Sequence, residues 1–205
     1  MTITVRPIRP SEHARAGEIT VAAYDAIGAV SDDYRVQLAD VTERVADGAD
    51  VLVAVDGVEG ADDRVLGTVT YVDEDNPHFE NHGAGDCGFR MLAVDTAAQG
   101  RGAGRLLVQA CIDLAVARGR RRMAIYSMEW MPVAHGMYAA MGFTRRPDRD
   151  VVFPGGVGFA FQLDLVRDAD RHFPPPGPVP DEPPWYLDAW GIQSRAAGGT
   201  AHDRA

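Results

Sequence analysis

From Gly100 to Arg105 the chain reads Gly-Arg-Gly-Ala-Gly-Arg, three glycines and two arginines in six residues immediately before an apolar run. Glycine at Gly100, Gly102 and Gly104 leaves the backbone N–H groups approachable. A helix beginning there adds further N–H groups and the positive end of its dipole. Such a nest suits an anion, and a pyrophosphate would span it, with Arg101 and Arg105 adding charge beside it. A strand-to-helix turn whose glycines satisfy only backbone geometry explains an isolated loop of this kind equally well.

Residue types narrow the choice. A Walker loop needs a lysine after its last glycine, and all 20 basic residues of this chain are arginine. The same absence removes Schiff-base chemistry on lysine. A dinucleotide fingerprint counted from Gly100 puts Arg105 where a glycine or alanine must let helix and strand pack closely. Tyr126 and Ser127 stand where the next strand would carry a ribose-binding carboxylate. Cys87 and Cys111 have no metal-ligand or disulfide spacing and read as small apolar residues. The net charge of -10 argues against nucleic acid as a partner. No uninterrupted apolar run of about 18 residues is present to span a bilayer, and no leader pattern opens the chain, so a cytoplasmic protein is expected.

The elements that would hold the loop follow from periodicity. Residues 2–6 alternate as a strand, and a helix follows with Ser11 as its expected N-cap. Val36, Leu38, Val41 and Val45 mark one further helix ending at Gly48. "DVLVAV" and "RVLGTVTYV" flank a Gly/Asp-rich turn as an antiparallel hairpin. "GFRMLAV" is a strand leading into the glycine loop, and the next helix carries Leu106, Leu107, Ala110, Cys111, Leu114 and Ala115 on one face. The cluster Arg118 to Arg122 stands at its C-terminal end, where cations complement the dipole. "MAIYS", the helix "VAHGMYAAMGF" and the strand Val157–Val166 complete an α/β (α+β) order with a mixed sheet. Residues 1–166 form the expected domain. Residues 167–205 are a Pro-rich extension whose Trp185, Tyr186 and Trp190 are free to dock on the chain's own sheet, on a second subunit or on a partner; a homodimer is left open.

The run "MLAVDTAAQGRGAGRLL", followed some thirty residues later by "AHGMYAAMGF", resembles the GCN5-related N-acetyltransferase superfamily. Its loop Q/R-x-x-G-x-G/A is matched by Gln99, Gly100, Arg101, Gly102, Ala103 and Gly104 in register. Its later motif is matched by Ala134, Tyr138, Gly142 and Phe143. The resemblance covers residues 2–166. It implies a mixed, mostly antiparallel sheet flanked by helices, whose parallel fourth and fifth strands, Phe89–Val94 and Met123–Ser127, splay apart around acetyl-coenzyme A. The backbone of Leu92, Ala93 and Val94 would pair with the pantetheine arm. Gln99, Gly100, Arg101, Gly102, Ala103, Gly104 and Arg105 would hold the pyrophosphate.

The implied reaction is direct attack of a primary amine, on a small molecule or a peptide, on the acetyl thioester, with no metal. Tyr138 is the implied proton donor to the departing thiolate. His135 shares its helix face as a surface or supporting residue. Two departures stand out: Gly88 replaces a glutamate that serves many members as general base, and Met131 replaces an asparagine. Asp86, Glu80 and His82 are the nearest substitutes for the base. The rival reading is a coenzyme A-binding regulatory or catalytically degenerate domain.

Overall fold

The computed structural model describes residues 2–28, 30–57, 63–79, 85–153, 155–165 and 193–194. These residues form two compact units, one made by the chain up to Ala124 with Asp164 and Leu165, the other by 125–163 with Gln193 and Ser194.

In the first unit, β1 (Ile3–Pro7) runs into a 3-10 turn and α1 (His13–Asp25). Ser11 lies inside that turn rather than capping α1. The chain is held there by Glu12, whose carboxylate accepts from the Arg9 N–H at 2.8 Å and from Arg6 at 2.6 and 2.9 Å. The expected single second helix is two: α2 (Asp32–Ala39) and α3 (Val41–Ala46). Asp40 separates them at φ -82 and ψ 79, and its carboxylate accepts from the Glu43 N–H to start α3. Aspartate favours such a cap over a helix interior, and here that local preference overrides the apolar period.

β2 (Asp50–Asp56) and β3 (Arg64–Asp73) form the expected hairpin, and β4 (Asp86–Val94) pairs antiparallel with β3. β1 pairs antiparallel with β2, and β5 (Arg122–Met128) lies parallel to β4, joining Asp86 to Arg122 and Cys87 to Met123. Val51, Val53 and Val55 face α1 and α3, packing with Ile19, Ala16 and Val41. The opposite face carries α4 (Ala103–Ala117), whose Leu107 lies against Gly67. β2 is therefore covered on both sides, which explains its unbroken apolar run. Cys87 and Cys111 are buried free thiols, and burial pushes the Cys87 thiol up to about 12.

The arginine cluster does more than complement a dipole. Arg118 pairs with Asp50 and Asp73 at 2.7 and 2.8 Å, Arg120 with Asp73 and Glu74 at 2.9 Å each, and Arg122 with Asp86. These carboxylates come from β2, β3, the residue following β3, and β4, so the cluster ties the C-terminal end of α4 to three strands. The more exposed of these pairs contribute about 0–1 kcal/mol each.

In the second unit, β5 continues, followed by α5 (Pro132–Ala140), β6 (Thr144–Arg145), β7 (Val151–Phe153), β8 (Gly156–Asp164) and β9 (Gln193–Ser194). β8 neighbours β5 and pairs antiparallel with β6 and β7, and β7 pairs antiparallel with β9. The whole is a mixed, mostly antiparallel sheet with its parallel pair at β4 and β5. β6 and β7 are too short to show a period. Gln193 and Ser194 add a strand from the Pro-rich extension, while Trp185, Tyr186 and Trp190 lie outside the described residues. No described helix is long and apolar enough to cross a membrane.

The buried face of α4 is rotated from the expected one. Ala103, Leu107, Val108, Cys111 and Ala115 are buried, whereas Leu106 is 40% exposed. Leu107→Ala is therefore expected to cost about 2–5 kcal/mol, and Leu106→Ala less than about 1 kcal/mol. Urea denaturation midpoints of the two variants check the assignment.

Candidate functional site

β4 is not a regular strand. Thr68 of β3 is opposite Ala93 and Thr70 is opposite Arg90, so Met91 and Leu92 together face the single residue Val69. That is a bulge, and Met91 takes the left-handed conformation with φ 53. A non-glycine residue there costs on the order of 1–3 kcal/mol and is held by its surroundings; Met91 is buried. A bulge bends its strand and re-aims the backbone groups that follow it. Those groups belong to Leu92, Ala93 and Val94, the residues expected to pair with a ligand arm. Sequence reasoning missed the bulge, because no glycine marks it.

The loop after Val94 is anchored by Asp95. Its N–H donates to the Leu66 carbonyl at 2.8 Å, and its carboxylate accepts from the Ala97 N–H at 2.9 Å. Arg15 of α1 reaches the same carboxylate at 2.5 Å. The Ala97 hydrogen bond, with Arg15 and Arg64 nearby, holds the carboxyl below its ordinary range.

Gly100 and Gly102 then adopt φ 75 and φ 88, and a Cβ built on either meets nothing within 4 Å. The glycines are thus required by backbone conformation and not by crowding, and the space before them is open. Gly102 is the N-cap of α4, with no side-chain cap, and the first helical bond runs from the Leu106 N–H to the Gly102 carbonyl at 3.1 Å. The N–H groups of Ala103, Gly104 and Arg105 are those an α-helix leaves without an internal acceptor. They stand at the positive end of a 15-residue helix beside an open approach, which is the geometry of an anion cradle. Gln99, Arg101 and Arg105 are exposed at its rim. Arg101 is also bound to Asp56 at 2.8 Å, so part of its charge is already answered.

The second unit holds Tyr138 and His135 on α5. Tyr138 is buried, its ring centroid 5.7 Å from those of Phe143 and Phe161. His135 packs against Phe159 and Phe161 at 5.5 and 5.2 Å, and its Nε2 is buried without a hydrogen-bond partner among the described residues. Desolvation, with the Arg145 charge adding to it, holds His135 below its ordinary value and favours the neutral imidazole. Met131 precedes α5, and its sulfur accepts from the Ser127 hydroxyl at 3.5 Å.

The sequence departures have physical explanations. A Cβ at Gly88 would lie 2.5 Å from the Ala124 carbonyl oxygen and 3.0 Å from the Phe79 ring. Phe79 is buried in a cluster with Ala49 and Val72, so this chain has filled with an aromatic the space that a side chain at 88 would need. Asp86 is 1% exposed and bound to Arg122, including a 3.0 Å contact from Nε, and so serves as a structural ion pair. Glu80 and His82 lie outside the described residues.

The family model described as acetyltransferase (GNAT) family matches residues 20–143. Among solved structures, yncA of Salmonella typhimurium, determined with its cofactor acetyl-CoA, is 23% identical, aligns over 82% of this chain and 97% of its own, and has a TM-score of 0.62. A GCN5-related N-acetyltransferase from Kribbella flavida is 22% identical over 79% of this chain and 97% of its own, with a TM-score of 0.60. The ribosomal-protein-S18-alanine N-acetyltransferase of Escherichia coli is 14% identical over 84% and 100%, also at 0.60. At these identities the likeness is one of fold. No curated protein matches the chain significantly in sequence.

Because Phe79 and the Ala124 carbonyl occupy the site, Gly88→Glu is expected to destabilise the protein by about 1–3 kcal/mol through overpacking. Thermal unfolding should register this as a loss of several degrees; an unchanged midpoint would contradict the steric account.

Proposed function

The chain belongs to the acetyltransferase (GNAT) family, and from that premise we propose that it transfers an acetyl group from acetyl-coenzyme A to a primary amine of a small molecule or peptide. The observation that carries the donor assignment is the pair of left-handed glycines, Gly100 and Gly102, opening onto empty space at the uncapped N-terminus of α4. Acetyl-coenzyme A supplies the reactive thioester. The backbone of Gln99, Gly100, Arg101, Gly102, Ala103, Gly104 and Arg105 binds its pyrophosphate. Leu92, Ala93 and Val94 hold the pantetheine arm by backbone pairing, and the bulge at Met91 sets where their N–H groups point.

Tyr138 holds the proton that the departing thiolate receives. A phenol, with an ordinary value near 10, keeps its proton at neutral pH and so has one to give to the departing thiolate. With Gly88 sterically closed and Asp86 committed to Arg122, neither acts as general base. The acceptor amine enters in its neutral form, as an α-amino group of pKa about 8 partly does at neutral pH.

Release of free thiol across a panel of amines tests this reading. Tyr138→Phe is expected to lower kcat about 10²–10⁴-fold with little change in coenzyme A affinity. A folded protein that binds acetyl-coenzyme A yet acetylates no amine in the panel would favour the non-catalytic reading instead. Gly102→Val should still fold, at a strain of about 1–2 kcal/mol. It should weaken coenzyme A binding at least tenfold in calorimetric titration, because the branched side chain enters the open approach.

A further inference from the structure

α5 has few anchors. Of its nine residues only Tyr138 is buried, and a helix that short depends on tertiary contacts to persist. His135 stands one turn before Tyr138 on the same face. Its ring packs against Phe159 and Phe161 of β8, with centroids 5.5 and 5.2 Å away. Phe161 also lies 5.7 Å from the Tyr138 ring, so one phenylalanine meets both side chains. Together His135 and Tyr138 set α5 on β8.

The ring sits where only one of its protonation states is comfortable. Its Nε2 is buried and has no hydrogen-bond partner among the described residues. As a bare lone pair that nitrogen forgoes one hydrogen bond. As the N–H of an imidazolium it would carry buried charge with no acceptor, which costs far more. The Met128 carbonyl at the end of β5 acts on the ring as a hydrogen-bond acceptor, and with Nε2 unpartnered it serves Nδ1.

The charged groups around it do not favour a second cation. β8 presents the two phenylalanines, and α5 itself adds the Tyr138 phenol, which keeps its proton in the role assigned above. Arg145 of β6 is the remaining charge that acts on the ring, and it repels an imidazolium. Its guanidinium already lies over Phe159 at 4.1 Å and Phe161 at 5.6 Å, so those rings have a cation to attract. Asp150, just before β7, is committed to Arg145 at 2.5 and 2.6 Å and to the Ala160 N–H at 3.0 Å. Burial and Arg145 together hold the ring below its ordinary value of 6.5, against the pull of the Met128 carbonyl. The unfolded chain therefore takes up this proton more readily than the folded one. The stability linked to it is complete above pH 6.5 and is lost as pH falls below that value.

We propose that His135 is a positioning residue for Tyr138: clamped on β8 as a neutral imidazole it holds α5 in place, and a proton on Nε2 releases the helix and with it the phenol. The inference rests on the acetyl-transfer reading above, in which Tyr138 gives the proton, and adds a residue on which that step depends. Acetyl transfer then declines in acid through a group with no part in the chemistry itself. Coenzyme A binding does not follow, since the residues assigned to it all belong to the first unit.

The whole chain is compared with His135→Phe, which keeps a ring that cannot titrate, and with His135→Ala, which removes it. Hydrogen exchange of the α5 amides, corrected for its intrinsic pH dependence, is followed from pH 7 to pH 5. Protection is expected to fall at least fivefold in the wild type and less than twofold in His135→Phe. With an acceptor from the amine panel, wild-type kcat should show an acid limb that coincides with the titration of the His135 ring read by NMR. That limb should stay in place when an acceptor of different amine pKa is used, and His135→Phe should lack it. At pH 8, His135→Ala should lower kcat at least tenfold with coenzyme A affinity within twofold, and His135→Phe should recover most of that loss. If the alanine variant fails to fold, the phenylalanine variant and the wild-type profile decide.

An α5 whose protection does not fall in the wild type overturns the proposal. So does an acid limb that is absent from the wild type or retained by His135→Phe, and either result leaves the acetyl-transfer reading intact. Thiol release with no amine would do the reverse: that reading fails, and hydrogen exchange still decides whether His135 holds α5.

Discussion

A helix that begins on a left-handed glycine has no side chain with which to cap itself. Gly102 starts α4 in that way, and the rest of the first unit is arranged to keep the resulting backbone donors in place and exposed. Asp95 ties the loop to β3 through Leu66 and to α1 through Arg15. Ala98 is buried beneath it, and Leu107 and Cys111 seat the helix on the sheet. At the far end of α4 the arginines from Arg118 to Arg122 fix the helix to carboxylates on the strands beneath. A 15-residue helix held at both ends cannot retract its N-terminus, so the unsatisfied donors stay at one fixed place.

β4 carries a second local cost for the same purpose. The bulge at Met91 interrupts pairing with β3 and places a bulky residue in a conformation it seldom adopts. Burial of that methionine shows what holds the strained backbone: the surrounding core over-determines it. Together, the bulge and the uncapped helix make a stretch from Leu92 to Arg105 in which backbone groups rather than side chains define the surface proposed to bind coenzyme A. Conversely, the position one turn of strand upstream is closed. Gly88 lies under Phe79 and the Ala124 carbonyl, so an acidic base at that position is excluded by volume and not merely by substitution.

Legibility of the sequence followed the range of the interactions involved. The glycine loop, the helix after it, the tyrosine helix ended by Gly142 and the β2–β3 hairpin rest on contacts within a few residues, and residue types report these directly. The break between α2 and α3 was local too, but the apolar period at Val36, Leu38, Val41 and Val45 masked the capping preference of Asp40. The buried face of α4 was misassigned at Leu106 because apolar spacing alone does not say which of two adjacent leucines meets the sheet. β6, β7 and β9 are two or three residues long and exist only because β8 and β7 offer them edges.

By itself, then, the sequence determined the order of most of the longer elements, the glycine turn into α4 and, through its two spaced motifs, the family. These depend on backbone preferences and on periods that every local window carries. Only the tertiary structure decided that Gly88 is a packing requirement, that Asp86 is committed to Arg122 and that Met91 is strained. Each is set by residues distant in the chain: Phe79 and Ala124 against Gly88, Arg122 against Asp86, and β3 against Met91. Volume, pairing and charge balance between such distant residues exist only once the chain has folded.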